Sequence, residues 1–223
     1  MKKAFLFISL VVLLSGCGLN IRTTGFLDRS AGASAPPRGA SFAVLENIQA
    51  PNPIFDREIR GKIEKLLVRH GFRVGSQEGA NYFVAFSYAI NPGLRLGTTT
   101  SYSPPQTQIV PVPDGKGGTT FTTVMTPGST STTPTFTEVF TKHLTLKVID
   151  GGSLRGGKKE KVVWVGDTLS TDASSDLRSD IDYLLVATFG YFGKDTGQQI
   201  DVRMGKDNPD VVALRREAAR PTE

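Results

Sequence analysis

Two histidines and several aspartates are the residues of this chain that could support catalysis. A catalytic site needs an acid, a base or a nucleophile that converge in space. His70 follows a predicted helix, where a cation suits the helix dipole, and His143 opens a predicted strand beside Lys142. Neither histidine is accompanied by a Gly-x-Ser-x-Gly elbow or a His-Glu-x-x-His helix. We therefore expect no enzyme activity. If the chain is an unrecognised hydrolase, Asp150, Asp167 and His143 are the first residues to substitute.

The carboxylates are densest between residues 172 and 182, at Asp172, Asp176, Asp180 and Asp182. The first three are four residues apart and could share one helix face. Calcium could bind such a cluster, but the spacing is not that of a calcium loop. A polar face near the positive end of a helix is the favoured interpretation.

The segment 151–159 is Gly-rich and basic, yet it lacks the Gly-Lys-Ser/Thr ending of a phosphate loop, so we expect a hairpin turn. The sequence predicts no metal site and no cofactor.

Cys17 is the residue whose surroundings predict a modification. A basic start at residues 2 and 3, an apolar run over 4–14 and small residues before the cysteine are typical of a signal peptide. The run is too short to span a bilayer, which needs about 20 apolar residues. Leu14-Ser15-Gly16-Cys17 resembles the lipobox of bacterial lipoproteins, in which the cysteine sulfur takes a diacylglyceryl group and the chain is cleaved before it. Cys17 is also the only cysteine, and lipidation would account for it. An ordinary signal peptide with a chance cysteine is the alternative.

The resemblance implies a membrane anchor at Cys17. A single acyl chain binds a membrane only marginally, with an association constant of roughly 10⁴ M⁻¹, whereas two chains give a stable anchor. Lipoproteins of this type carry two or three. In enteric-type bacteria an Asp after the cysteine resembles an inner-membrane retention signal, and here the residue is Gly18. We therefore expect a palmitate-bearing lipoprotein on the outer membrane, facing the periplasm.

Composition excludes several classes of function. The formal net charge of +5 is mild and spread along the chain, so it does not argue for nucleic-acid binding. Without a second cysteine, neither a disulfide nor a thiolate metal site can stabilise the fold.

The predicted elements follow a lipidated, flexible tether over residues 17–40, which is small, polar and Pro-containing. Asn52 and Pro53 are suited to begin a helix that Gly71 ends. A second helix is capped by Ser174 or Ser175 and reaches residue 192. The predicted strands are 41–45, 81–90, 143–149 and 161–169. We predict one α+β domain over 41–192, a two-layer sandwich whose mainly antiparallel sheet of about four to five strands carries two helices on one face. A polar tail over 193–223 completes the chain, in which 199–204 can form a short strand and 211–216 a short terminal helix.

Residues 97–135 differ from the rest of the chain in composition, because Thr, Ser, Pro and Gly dominate them. A Gly-rich turn over 114–118 separates two β-prone arms, 108–112 and 119–124, which indicates a long hairpin inserted in the domain. A disordered insertion is the alternative. A two-stranded ribbon is marginally stable alone, so a sharper hypothesis is that this arm pairs with another copy or with a partner.

The order strand, helix, strand, long excursion, two strands, helix, together with the lipobox, resembles a widespread family of Gram-negative envelope lipoproteins known as a domain of unknown function. The matching stretches cover most of residues 41–192 and are the strand 42–45, Arg69-His70-Gly71-Phe72, Asn81-Tyr82-Phe83-Val84, Leu144-Thr145-Leu146-Lys147-Val148-Ile149-Asp150, Val162-Val163-Trp164-Val165-Gly166 and the helix 176–192. The family often has Asp near position 81, and its excursion is usually shorter. The resemblance implies a two-layer α/β domain with two helices on one sheet face, and it implies no activity.

The sequence thus predicts a non-enzymatic interaction or envelope-assembly module. Its expected partners are the membrane, through the lipid, and an envelope protein or a second copy through residues 97–135. The alternative is a periplasmic module that binds a small ligand, glycan or lipid in the groove between sheet and helices.

Overall fold

The computed structural model describes residues 18–29, 35–47, 51–113, 119–156 and 159–219. The predicted signal peptide over 1–16 and Cys17 lie outside these ranges, so the predictions made for them stay predictions. The chain divides into two compact units, Met1–Pro92 with Phe140–Glu223 and Gly93–Val139. We call the first the core unit and the second the ribbon. Among the described residues, no helix combines the length and apolarity needed to cross a membrane.

Nine strands are found in the described residues. In chain order they are β1 (Gly18–Leu27), β2 (Ser41–Val44), β3 (Arg73–Val74), β4 (Tyr82–Ser103), β5 (Gln106–Pro113), β6 (Thr119–Thr126), β7 (Ser129–Asp150), β8 (Val162–Asp172) and β9 (Ile200–Gly205). Seven of them form a mixed sheet in the order β3-β2-β4-β7-β8-β1-β9, and β5 pairs with β6 in a separate sheet. β2 is parallel to β3 and β4, whereas β1 is antiparallel to both β8 and β9.

The helices begin where polar side chains cap them. α1 (Pro53–Arg69) starts after Asn52, whose side chain accepts a hydrogen bond from the backbone N–H of Phe55 at 3.1 Å. This start and the role of Pro53 at the first position confirm the prediction. The other helices are α2 (Gly151–Arg155), α3 (Leu177–Gly190) and α4 (Pro209–Ala218). The cap of α3 is Asp176, so the assignment to Ser174 or Ser175 is corrected.

The main hydrophobic core lies between the sheet and helices α1, α3 and α4, which pack on one another. Leu144, Leu146 and Val148 of β7 are fully buried in it, which confirms the buried face that their alternation predicts. A smaller cluster of Ala43, Ala80, Phe83 and Ile149 is separate from it. Successive residues of β2 enter different clusters because side chains alternate across a sheet.

Two tightly packed features join α3 to the sheet. The hydroxyls of Thr23, Thr168 and Thr188 form a buried chain, with oxygen–oxygen distances of 2.7 and 2.8 Å. Beside it, a Cβ placed on Gly166 would come within 2.2 Å of the indole of Trp164 in the same strand and within 2.8 Å of the Cγ2 atom of Thr188 in α3. The contact with Thr188 brings strand and helix directly together at this glycine.

The predicted fold class is wrong in the number and orientation of its strands and in the number of its helices. The large sheet has seven strands in mixed orientation rather than four to five mainly antiparallel ones, and four helices are present rather than two. Three of the added elements lie outside the predicted domain of 41–192. The tether predicted over 17–40 contains β1, which the sequence does not predict, whereas β9 and α4 lie where the strand 199–204 and the helix 211–216 of the tail are expected. β1 buries Ile21 and Thr23, alternate residues of a strand that β8 and β9 enclose, so its modest apolar content suffices.

Candidate interaction surface

The ribbon is a hairpin built from two paired segments. Its first segment joins β4 to β7, where the Ser101 and Ser131 hydroxyls are 2.7 Å apart and those of Thr100 and Thr132 are 3.4 Å apart. These contacts place the two strands antiparallel. Pro104 and Pro105 then interrupt one side, and Pro127 and Gly128 the other.

The second segment pairs β5 with β6. The antiparallel register runs from Gln106 opposite Thr126 to Pro113 opposite Thr119. The sequence of 97–135 allows either a hairpin or a disordered insertion, and the structure has paired strands on both sides of residues 114–118.

The ribbon has no hydrophobic core among the residues whose burial is described. Within it those side chains are exposed, apart from Gly97, Thr135 and Val139, which are half-buried. Its exposed large apolar side chains are Leu94, Leu96, Tyr102, Ile109, Val110, Val124, Met125 and Phe136. Natural proteins protect exposed strands with charges, prolines or a covering element. Charges are nearly absent here, since Asp114 and Lys116 are the only charged residues between Leu96 and Thr137.

Two of the three hydrolase candidates do meet. His143 Nε2 lies 2.7 Å from Asp167 Oδ1, and the hydroxyl of Thr145 donates to the same oxygen at 2.7 Å. In a nucleophilic triad the histidine stands between the acid and the hydroxyl, so that it can take the hydroxyl proton. Here the carboxylate stands between them. His143 therefore does not contact Thr145 as a general base would, and the cluster is an ordinary cross-strand polar group.

The remaining candidates have structural roles. Asp150 caps α2, because its carboxylate accepts from the backbone N–H of Ser153 at 2.8 Å. His70 is the C-terminal cap of α1, as the sequence predicts, and its Nδ1 lies 2.9 Å from the carbonyl of Leu66. The segment 151–159, predicted as a hairpin turn, contains the helix α2 instead.

The acidic cluster is divided among separate partners. Asp172 and Asp180 both bind Lys142, a lysine with no exposed surface, and Asp172 does so at 2.9 and 3.1 Å. Burial alone would lower the pKa of Lys142, but the hydrogen bonds and charges of the two aspartates outweigh it and raise that pKa. Burial also raises the pKa of Asp180, which Lys142 offsets only in part. The lysine therefore stays charged inside the fold.

Asp182 belongs to a second buried ion cluster that connects α1, α3 and α4. It lies 2.6 Å from Lys62 Nζ and accepts from Arg215 Nε at 2.7 Å. Lys62 also donates to Glu58 at 2.7 Å, and Arg178 contacts the same glutamate at 2.8 Å. Burial raises the pKa of Glu58, but the two cations outweigh it and leave that pKa lowered. The cluster holds the helices together.

The sequence does not predict the two buried lysines, Lys62 and Lys142, as partners of the aspartates. The spacing of the aspartates indicates a polar helix face, whereas Asp182 is buried. A signal was available, because Lys142 is in phase with Leu144 and Leu146, and Lys62 falls beside Ile59 and Ile63 on the buried face of α1. A charge at such a position needs a buried partner.

No group of three or more acidic, histidine or cysteine ligands arranged for a metal occurs among the described residues. The groove between the sheet and the three helices is occupied by buried side chains such as Phe42, Leu146 and Leu185. The alternative of a ligand-binding module stays a prediction. Cys17, the predicted lipidation site, lies outside the described residues.

No protein-family model and no curated protein matches this chain. Among solved structures, a PDZ domain protein from Parabacteroides distasonis is similar at 11% identity and a TM-score of 0.43, over 90% of this chain and 41% of that one. A PelC dodecamer from Paraburkholderia phytofirmans is similar at 11% identity and a TM-score of 0.41, over 79% of this chain and 99% of that one. A variant PelC dodecamer gives 14% identity, a TM-score of 0.39, and 74% and 94% coverage.

The chain thus spans less than half the length of the PDZ domain protein. None of the three structures is described as an enzyme. Similarities at these TM-scores carry no argument about function. The resemblance to the envelope lipoprotein family stays a prediction.

Proposed function

We propose that this protein is a lipid-anchored module of the bacterial outer membrane, facing the periplasm, that works by binding other proteins rather than by catalysis. The anchor is the lipobox cysteine, Cys17. The binding element is the ribbon, Gly93–Val139, and the core unit is its support.

The exposed apolar surface of the ribbon carries the proposal. A paired β structure in which no side chain of described burial is buried gains little from the hydrophobic effect on its own. Exposed apolar side chains on strands of almost no charge are what a protein-binding strand surface has before its partner covers it. In the polar group of His143, Asp167 and Thr145 the carboxylate, and not the imidazole, accepts from the hydroxyl, which is not the arrangement of a nucleophilic triad.

Crosslinking in intact cells tests the ribbon. One variant changes the exposed ribbon residues Val110, Val124 and Met125 to serine. The matched control changes three exposed residues of the core unit, Ile54, Val68 and Val212, to serine. We expect crosslinked species to be lost in the ribbon variant and kept in the control. Equal crosslinking in both would refute the proposed role of the ribbon.

Metabolic labelling with palmitate tests the anchor. We expect label on the wild-type chain, enriched in the outer-membrane fraction, and none on Cys17→Ala. Absence of label from both chains would refute the lipobox interpretation and would leave a free thiol at residue 17.

A further inference from the structure

The two strands at the end of the ribbon differ in their free edges. β5 contains Pro111 and Pro113, whereas β6 contains neither a proline nor a charged residue. Proline has no backbone N–H and is placed in strands where that group would face away from the ladder. The two prolines therefore remove donors from the outer edge of β5.

The register shows which other backbone groups face the outer edges of the pair. In an antiparallel pair, backbone groups two residues apart along a strand point the same way, so the backbone N–H of Ile109 faces the same outer edge as the backbone of Pro111 and Pro113. Opposite these three residues stand Thr123, Phe121 and Thr119 of β6. The backbone groups of β6 at these positions face the outer edge on their side, and every donor is present. The outer edge of β5 therefore lacks two donors, and we call it the closed edge. The outer edge of β6 keeps every donor, and we call it the open edge.

We infer that the open edge of β6 pairs with β6 of a second copy of this chain. The inference rests on the proposed role of the ribbon and names the partner. A strand without charge can lie against an identical strand with no like-charge repulsion, which pairing between copies would otherwise bring. It offers no charge for an oppositely charged partner to recognise.

The closed edge of β5 sets the symmetry. Head-to-tail pairing would place β6 of one copy against the proline-containing edge of the next, where two donors are missing. Pairing β6 with β6 avoids that edge and gives a two-fold, self-complementary contact. The resulting sheet of four strands has β5 on both outer sides, so the prolines stop further growth. The expected assembly is a dimer and not an open series.

Two proline substitutions at one cross-strand pair test this. Thr123→Pro removes an outward donor from β6, and Ile109→Pro removes its counterpart from β5. Neither substitution removes a hydrogen bond between β5 and β6, so each is the folding control for the other.

The full chain, purified from membranes in detergent, is sized by sedimentation. We expect the wild type and Ile109→Pro to be dimers with the same dissociation constant. Because a two-fold contact contains each substitution twice, Thr123→Pro should raise that constant by roughly tenfold or more.

Three results would overturn the inference: a monomeric wild type, assemblies larger than a dimer, or equal effects of the two prolines. The proposed function fails separately. If the wild type is monomeric and the serine variant of the ribbon still loses crosslinked species, the ribbon binds a different protein.

Discussion

Replacing Lys142 by methionine should cost the fold about 3–5 kcal/mol of unfolding free energy at pH 7. The lysine has no exposed surface and is shared by Asp172 and Asp180. Methionine has a similar length, so the cavity contribution is small. The loss comes from leaving two carboxylates beside each other without their cation. Lys147 lies on the same strand and is exposed, so Lys147→Met should change stability by less than about 0.5 kcal/mol.

The pH dependence identifies the cause of that loss. Burial already raises the pKa of Asp180 above 3.8, and removing Lys142 should raise it further. A carboxyl whose folded pKa exceeds its unfolded value stabilises the fold at low pH and loses that contribution as pH rises through the folded pKa. The deficit of Lys142→Met should therefore shrink as the pH falls from about 7 toward 4.

Urea unfolding followed by tryptophan fluorescence measures this deficit, because Trp164 is the only tryptophan and is buried. Adding Asp180→Asn to Lys142→Met should recover part of the loss, since it removes one of the two uncompensated charges. A deficit below about 1 kcal/mol, or one that does not change with pH, would refute the argument that the charges dominate.

Four further substitutions have expected effects on the urea midpoint. Gly166→Ala should destabilise by about 1–3 kcal/mol and alter the near-ultraviolet circular dichroism of Trp164, because the added methyl group overlaps the indole. Gly61→Ala, in α1 with nothing within 4 Å of the added Cβ, should stabilise by about 0.5–1 kcal/mol, and a loss there would contradict the open space. Thr168→Val should cost about 1–3 kcal/mol, since it removes the partner of the buried Thr23 hydroxyl, whereas the Thr188 hydroxyl still donates to the carbonyl of Leu184. A neutral result would mean that the Thr23 hydroxyl finds another partner. Asn52→Ala should cost about 1 kcal/mol, and unchanged helix content and stability would deny its capping role.

The elements with strong local signals were predictable from the sequence. α1 combines a cap at Asn52, a proline at its first position and helical spacing of Ile59, Ile63 and Leu66, and each of these agrees with the structure. The buried face of β7 follows from alternation alone.

β1 was missed because its evidence is not local. Leu19, Ile21 and Thr23 alternate, but the strand also contains glycine, asparagine and arginine, and it follows a predicted cleavage site. Its stability comes from pairing with β8 and β9, which are more than a hundred residues away. The buried partner of Lys62 is equally distant along the chain, since Asp182 comes from α3. Spacing along the chain gives no information about such contacts.

The position of β1 has a mechanical consequence. It begins at Gly18, immediately after Cys17, and its first residue pairs with Gly205 of β9. One residue spans at most about 3.6 Å, so a lipid on Cys17 would leave the core unit almost no slack above the bilayer. A pull along β1 from its first residue would load its ladders with β8 and β9 together, because the strand has a neighbour on each side. A strand at the sheet edge has one ladder to resist the same pull, whereas β1 has two.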